Sequence, residues 1–321
     1  MGPWAPGAFL GLFIVASLLM IWRLEAMNDD GFEGTALGTL VMPYCSGVGN
    51  LVFAVLLGLH NGPGAEVMTN ALVNNVTNMT LLIGLPAVIW GMNIAGGSHG
   101  RKGGSGGIKT RQLSRLSLLL TLTAVLFFTG ATWALARDGQ IDFWEGAVLV
   151  GLFLFWQCFQ MFDVLKTNVQ KGHSFNWMLP INLGLLAVGA GGIYISTDWL
   201  VSWSSQAENS FVQDHLGWLS GGLMVLPNAM LALYYGWRGR PEVIYSSQVG
   251  DGHICIPLCI GIYALYHPLH VPPFFQTGVM ILGAATVLHL VVVAVFGGLP
   301  RFVGLALLGG YGVFLWKGLS G

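Results

Sequence analysis

At 321 residues the chain is 54% hydrophobic and only 8% charged, against about a quarter charged in an average soluble domain, which excludes an ordinary soluble globule and requires an integral membrane protein. A net charge of −1, with charged residues scattered between apolar runs, excludes a nucleic-acid-binding stripe. Forty-seven glycines fit closely packed membrane helices, and Cys45, Cys158, Cys255 and Cys259, all within apolar segments and without a CxxC pair, read as reduced, buried thiols.

Taken in order, the first apolar run, residues 4–22, has no basic residue before it and Arg23 directly after it. That is the reverse of a cleaved signal, so the run is expected to stay as the first helix. RLEAMNDDGFEG reads as a short polar loop or a tilted helix start at the interface. The second helix is expected over 36–60 with a break at Gly47 and Gly49, and the third, after the HNGPG turn, over 67–92 with an interruption at Asn74 to Asn78. GGSHGRKGGSGGIKTR is Gly-rich and basic, a flexible loop that lacks the Ser or Thr and the strand-to-helix setting of a phosphate loop. Helices follow over 113–136, 143–162, 177–195, 217–237, 242–266, 274–296 and 302–316, with a polar stretch, TDWLVSWSSQAENSFVQDH, between the sixth and seventh.

Ten spans of about 20 residues suit a hydrocarbon core of about 30 Å. With the N-terminus outside, the cytoplasmic loops collect Arg23, Arg101, Lys102, Lys109, Arg111, Arg115, Lys166, Lys171, Arg238, Arg240 and Arg301, and only Arg137 and Lys317 remain outside. The positive-inside rule therefore predicts ten spans with both termini outside, in an inner or plasma membrane of bacterial type.

The stretch 47–84 is apolar enough for two spans, yet Asn50, Asn70, Asn74, Asn75 and Asn78 interrupt it. Amides at membrane depth are costly unless they face protein, water or an ion, so their clustering beside glycines points to a binding cavity. The stretch recurs. Asn50, Gly58, Pro63 and Asn70 match Asn228, Gly236, Pro241 and Gln248 at a common spacing of 178; the spacing then slips by one, so that Asn74, Asn78 and Gly84 match Asp251, Cys255 and Gly261. The HNGPG turn falls outside and its counterpart WRGRPE inside, so the repeats are inverted. The expected fold is all-α and membrane-integral: a single membrane domain of ten helices in two inverted five-helix halves, 1–162 with a repeat over about 36–92 and 163–321 with a repeat over about 214–266.

Inverted repeats with broken helices are a common plan for secondary transporters, with the cargo held where the repeats meet. The arrangement resembles the calcium/cation antiporter superfamily, whose sodium/calcium exchangers carry two inverted alpha-repeats within ten helices. The family motif G-N-x-x-G-S-N-x-x-N followed by a glycine is similar to VNNVTNMTLLIG, 73–84, and VGDGHICIPLCIG, 249–261, is a poorer copy. The Pro-Glu of the family's preceding motif stands as Gly49-Asn50 and Pro227-Asn228, so both glutamates are asparagines here. The resemblance implies Na⁺ or H⁺ coupling, with Na⁺, Ca²⁺, K⁺ or H⁺ as transported cations and no bound cofactor.

The expected ion-binding residues are Asn50, Asn74, Asn78, Asn228 and Asp251, with unwound backbone near Ser46 and Gly47 adding carbonyls; Asp251, Asn50 and Asn228 are the direct metal ligands. Asn50 and Asn228 could equally be interhelical hydrogen-bonding residues. His253, Cys255 and Cys45 are candidates for proton coupling or soft ligation, against the plainer readings of a core histidine and buried thiols. One carboxylate among neutral oxygens favours a monovalent cation or weakly bound Ca²⁺. The alternative is a transporter-derived scaffold that binds an ion or partner without exchanging it. An intramembrane enzyme is not expected, because HExxH, GxSxG and paired intramembrane carboxylates are absent from the sequence.

Overall fold

In hydrocarbon the backbone finds no water, so each span must satisfy its own N–H and C=O groups as a helix. The computed structural model, which describes residues 4–29, 42–93, 105–168, 178–205, 211–212 and 215–319, follows this rule. Its helices are α1 (Ala5–Asp29), α2 (Met42–Leu59), α3 (Gly64–Thr77), α4 (Ile83–Trp90), α5 (Ser105–Leu135), α6 (Phe143–Asn168), α7 (Met178–Ser205), α8 (Leu216–Trp237), α9 (Pro241–Ile254), α10 (Ile260–Tyr266), α11 (Phe275–Phe296) and α12 (Arg301–Leu319). Five-residue π turns, Asn78–Leu82 and Cys255–Cys259, join α3 to α4 and α9 to α10 into two broken spans. Among the described residues nine stretches are long and apolar enough to cross a membrane, and the shorter Gly47–Leu59 makes a tenth.

The duplication is visible in the element bounds. α2 and α8 end 178 residues apart, at Leu59 and Trp237, whereas α3 and α9, both π turns, and the starts of α4 and α10 are all 177 apart. The one-residue slip therefore lies in the turn between the helices, and Asn70 corresponds to Ser247, not to Gln248. The two π turns open at the same repeat position by different local chemistry. In the first, Thr80 Oγ1 bonds back to the Val76 carbonyl and competes with the helical ladder. In the second, the same position is Pro257, which has no N–H to give the carbonyl one turn earlier.

Four two-residue strands, β1 (Met92–Asn93), β2 (Gln140–Ile141), β3 (Leu269–His270) and β4 (Gly298–Leu299), pair as β1 with β4 and β2 with β3. β1 and β3 follow the broken spans, while β4 and β2 sit in the α11–α12 and α5–α6 connections of the opposite halves. Each half thus ties the end of its broken span to the other half. Ten alternating spans put both members of each pair at one end of the bundle, as the pairing requires. Close helix crossings repeat the pattern: a Cβ on Gly304 would lie 2.7 Å from the Gly84 carbonyl oxygen, and one on Gly146 would lie 2.9 Å from that of Gly261. α4 therefore packs on α12, and α10 on α6, through backbone.

The broken spans are the centre of the molecule. In the most apolar 18 residues of Gly64–Trp90 and of Pro241–Tyr266, 78% and 83% are buried, against 28% in Ala5–Arg23 and 22% in Arg301–Leu319, which face outward. α1 packs along α7, with Phe9 stacked on Trp199 at 4.3 Å.

Several expectations change. α2 is a continuous α-helix through Gly47 and Gly49. These glycines serve packing: a Cβ on Gly47 would lie 3.2 Å from Ile254, and one on Gly49 would lie 3.2 Å from Phe13. No backbone carbonyl is unwound at Ser46 or Gly47. α1 continues to Asp29 and α7 to Ser205, well past their apolar runs, because helical hydrogen bonding can continue into polar sequence where hydrophobicity ends. Cys158 is exposed on α6 instead of buried, while Cys255 and Cys259 are buried and unpaired.

Candidate ion-binding site

The polar residues of the repeats converge where α3 and α9 cross. Asn75 and Gly252, which are repeat counterparts, meet at the crossing: a Cβ on Gly252 would lie 3.2 Å from Asn75 Oδ1. A Cβ there would be crowded, since it would also lie 3.0 Å from Val125 Cγ2 of α5. On either side of that contact lie two related hydrogen bonds. Asn78 Nδ2 donates to Asp251 Oδ2 at 3.0 Å, and Asn74 Nδ2 donates to Cys255 Sγ at 3.2 Å.

α8 brings Asn228, whose Nδ2 also donates to Asp251 Oδ2. Gln248, one turn before Asp251 on α9, donates to the Asn228 carbonyl at 3.3 Å. Asn50 stands one turn beyond Gly47 on α2, on the face that packs against Ile254 of α9. Asn50, Asn74, Asn78, Asn228, Gln248 and Asp251 are all fully buried.

The amide oxygens define what this arrangement can do. Oδ1 of Asn50, Asn74, Asn75, Asn78 and Asn228, and Oε1 of Gln248, are buried without a hydrogen-bond donor. An unpaired buried acceptor costs about 1–3 kcal/mol, and native interiors hold few of them. Six around this crossing, beside the Asp251 carboxylate, form an electronegative cradle suited to a cation. The amide nitrogens of Asn74, Asn78 and Asn228 are given to Cys255 and Asp251, and those of Asn75 and Gln248 to backbone carbonyls, whereas neither amide atom of Asn50 has a partner.

The structure thus brings together Asn74, Asn78, Asn228, Asp251 and Cys255 of the expected residues, and sets Asn50 on the adjoining face. It turns His253 away: Nε2 lies 3.0 Å from the Thr121 carbonyl, and the ring packs at 5.1 Å from Trp156 and 5.9 Å from Phe128. Two residues on a helix point about 200° apart, so His253 cannot share the face of Asp251. The side chains of Cys45 and Ser46 lie outside the described residues. Among the described residues no three His, Cys, Asp or Glu side chains converge as a metal cluster; the expected convergence of Cys45 with His253 and Cys255 lies partly outside them. Gln248 is the site residue that sequence reasoning left out, although its spacing of three from Asp251 carries the signal.

The remaining polar residues have structural tasks. Asn70 donates to Ser220 Oγ at 3.0 Å and to Met224 Sδ at 3.4 Å, joining α3 to α8. Glu66 accepts from the Gly217 N–H at the start of α8, where helix N–H groups lack partners. Asp142 and Glu145 form a reciprocal capping box at the start of α6, with both bonds at 2.9 Å.

Ten spans in two inverted halves, meeting at a buried amide cradle, define a class: a secondary transporter of inverted-repeat construction. The sequence profile of the family described as sodium/calcium exchanger protein matches residues 2–162 and 181–317. The chain belongs to this family of membrane cation antiporters. No curated protein sequence matches it. Solved structures of the sodium-calcium exchanger NCX_Mj share its fold. One, soaked with 2.5 mM Na⁺ and 10 mM Sr²⁺, has a TM-score of 0.67 at 16% identity, over 95% of this chain and 94% of that chain. Another, soaked with 2.5 mM Na⁺ and 1 mM Sr²⁺, has a TM-score of 0.67 at 17% identity, over 98% of both chains. A third, soaked with zero Na⁺ and Ca²⁺, has a TM-score of 0.65 at 16% identity, over 97% and 95%.

Proposed function

We propose that the protein exchanges cations at the crossing of α3 and α9, with Asn50, Asn74, Asn78, Asn228 and Gln248 offering amide oxygens and Asp251 the charge. The observation that carries this reading is that these five amide oxygens, with Asn75 Oδ1 beside them, are fully buried without donors next to the Asp251 carboxylate.

Charge decides the cargo. A monovalent ion is neutralised by Asp251 alone, whereas Ca²⁺ would leave a net positive charge buried, at a penalty of several kcal/mol per unpaired ion. Ca²⁺ also takes six to eight oxygens and binds more tightly as more of them are charged. The site therefore favours Na⁺, K⁺ or H⁺, with Ca²⁺ held weakly. The two asparagines at the positions where the family resemblance implies glutamates, Asn50 and Asn228, account for the lower charge. The charge asymmetry of the loops orients the chain with both termini outside.

The test is ion flux in liposomes holding the purified protein, under Na⁺, K⁺, H⁺ and Ca²⁺ gradients, beside an Asp251→Asn control. Exchange that depends on Asp251 supports the reading. Folded wild-type protein that moves none of the four ions would return the non-exchanging scaffold in its place.

A further inference from the structure

The broken span of the first half has a polar support that plays no part in the amide cradle. His289, on α11, and Tyr245, on α9, are both fully buried. His289 Nε2 lies 2.8 Å from the carbonyl oxygen of Met79, the second residue of the π turn, and Tyr245 Oη lies 2.9 Å from His289 Nδ1. The two rings meet edge to face at 5.4 Å.

The direction of each bond follows from what the groups can do. A carbonyl only accepts, so Nε2 carries the proton; in the neutral ring Nδ1 is then an acceptor, and the Tyr245 hydroxyl donates to it. A π turn shifts the backbone out of helical register, and a carbonyl there has no water to fall back on. His289 supplies the donor. Met79 follows Asn78 directly, so whatever holds the Met79 carbonyl also holds the backbone from which the Asn78 amide reaches Asp251.

We infer that His289, itself oriented by Tyr245, is a positioning residue for the cation site: it fixes the π turn that presents Asn78 to Asp251 and the cargo. The inference rests on reading that crossing as the ion site. The support belongs to one half only, since the repeat counterpart of Tyr245 is Met68, which has no hydroxyl. A ligand pinned by hydrogen bonds behind it holds a fixed distance to an ion, and such outer partners tune both affinity and choice of ion.

The experiment measures Na⁺, K⁺ and Ca²⁺ dissociation constants by calorimetry on purified wild type, His289→Leu, His289→Gln and Tyr245→Phe, together with ¹⁵N-histidine NMR of the wild type. In His289→Leu the dissociation constant of the more tightly held of Na⁺ and K⁺ rises by about ten-fold, the cost of removing the donor to the Met79 carbonyl, and that of the other rises less, so the ratio between them moves toward one. His289→Gln, whose amide can still donate to Met79, recovers most of the affinity and the ratio, which a purely structural role would not predict. The NMR shows the Nε2–H tautomer, assigned by its loss in His289→Gln and perturbed in Tyr245→Phe. Wild-type binding with an unchanged ratio in His289→Leu overturns the inference alone. Should His289→Leu fail to fold, the opposite tautomer, or a Tyr245→Phe variant with wild-type affinities, overturns it instead. Wild-type protein that binds none of the three ions overturns the proposed site, and this inference with it.

Discussion

Asn78 gives an amide N–H to Asp251 at 3.0 Å, across 173 residues and from one half of the molecule to the other. Under the internal duplication the same two positions recur as Cys255 and Asn74, which meet at 3.2 Å. The geometry is duplicated but the charge is not: one pair holds a carboxylate, the other a thiol. A site that descends from a two-fold plan thus has a single electrostatic pole.

That pole can be removed without a cavity. Asp251→Asn keeps the volume and leaves one acceptor oxygen, whose two lone pairs can take the bonds from both Asn78 and Asn228, so the protein should fold. Exchange in liposomes should fall to background, on the order of 100-fold or more, because no group is left to offset the desolvation of a cation. Size-exclusion behaviour and flux, measured together, check both halves of the expectation. Full flux would remove Asp251 from the site.

Charge can also be added. Asn50→Glu with Asn228→Glu raises the number of carboxylates beside Asp251 and should convert weak Ca²⁺ binding into tight binding. The expected gain is at least about ten-fold, or 1.4 kcal/mol. Without Ca²⁺ the crowded acids should lower thermal stability, and Ca²⁺ should restore it. Melting curves with and without Ca²⁺ read both effects, and an unchanged curve would count against the cradle as a cation site.

The crossings of α4 with α12 and of α6 with α10 depend on missing side chains. Gly304→Ala and Gly146→Ala each drive a Cβ against a facing carbonyl, at 2.7 and 2.9 Å before relaxation. Overpacking of this kind costs about 1–3 kcal/mol. Gly130→Ala, on α5, meets nothing within 4 Å and should be silent. Denaturation in detergent compares the three.

Sidedness has a direct readout. In a background without native cysteines, Asn93→Cys, whose backbone pairs with Gly298, should react with an impermeant thiol reagent from the cytoplasmic side only. His270→Cys, paired with Gln140, should react from the outside only. Labelling of both from one face would contradict ten alternating spans, and reversal of both would invert the proposed orientation while keeping the fold.

Hydropathy located all ten spans, because length and apolarity are properties of a segment taken alone. The duplication was equally legible: Asn50 with Asn228, and Asn78 with Cys255, announce themselves by spacing. The span ends were less so. α1 and α7 outrun their apolar stretches because hydrophobicity marks the membrane and not the end of the hydrogen-bond ladder. The glycines misled for a related reason. At Gly47 the same residue type that permits a break instead admits Ile254, and only the neighbouring helix distinguishes the two.

The sequence by itself determined that this is a membrane protein of ten spans in two inverted halves, with amides and one acid gathered in the repeats. The tertiary structure decided which of those polar groups meet. It set Asp251 between Asn78 and Asn228, brought Gln248 into the cradle, sent His253 to Thr121, and placed His289 behind the π turn. The physical reason is rotation about the helix axis. A helix buried on every side has no solvent-facing stripe to declare its inward face, so which polar residue faces which is fixed only when α3, α8, α9 and α11 pack together.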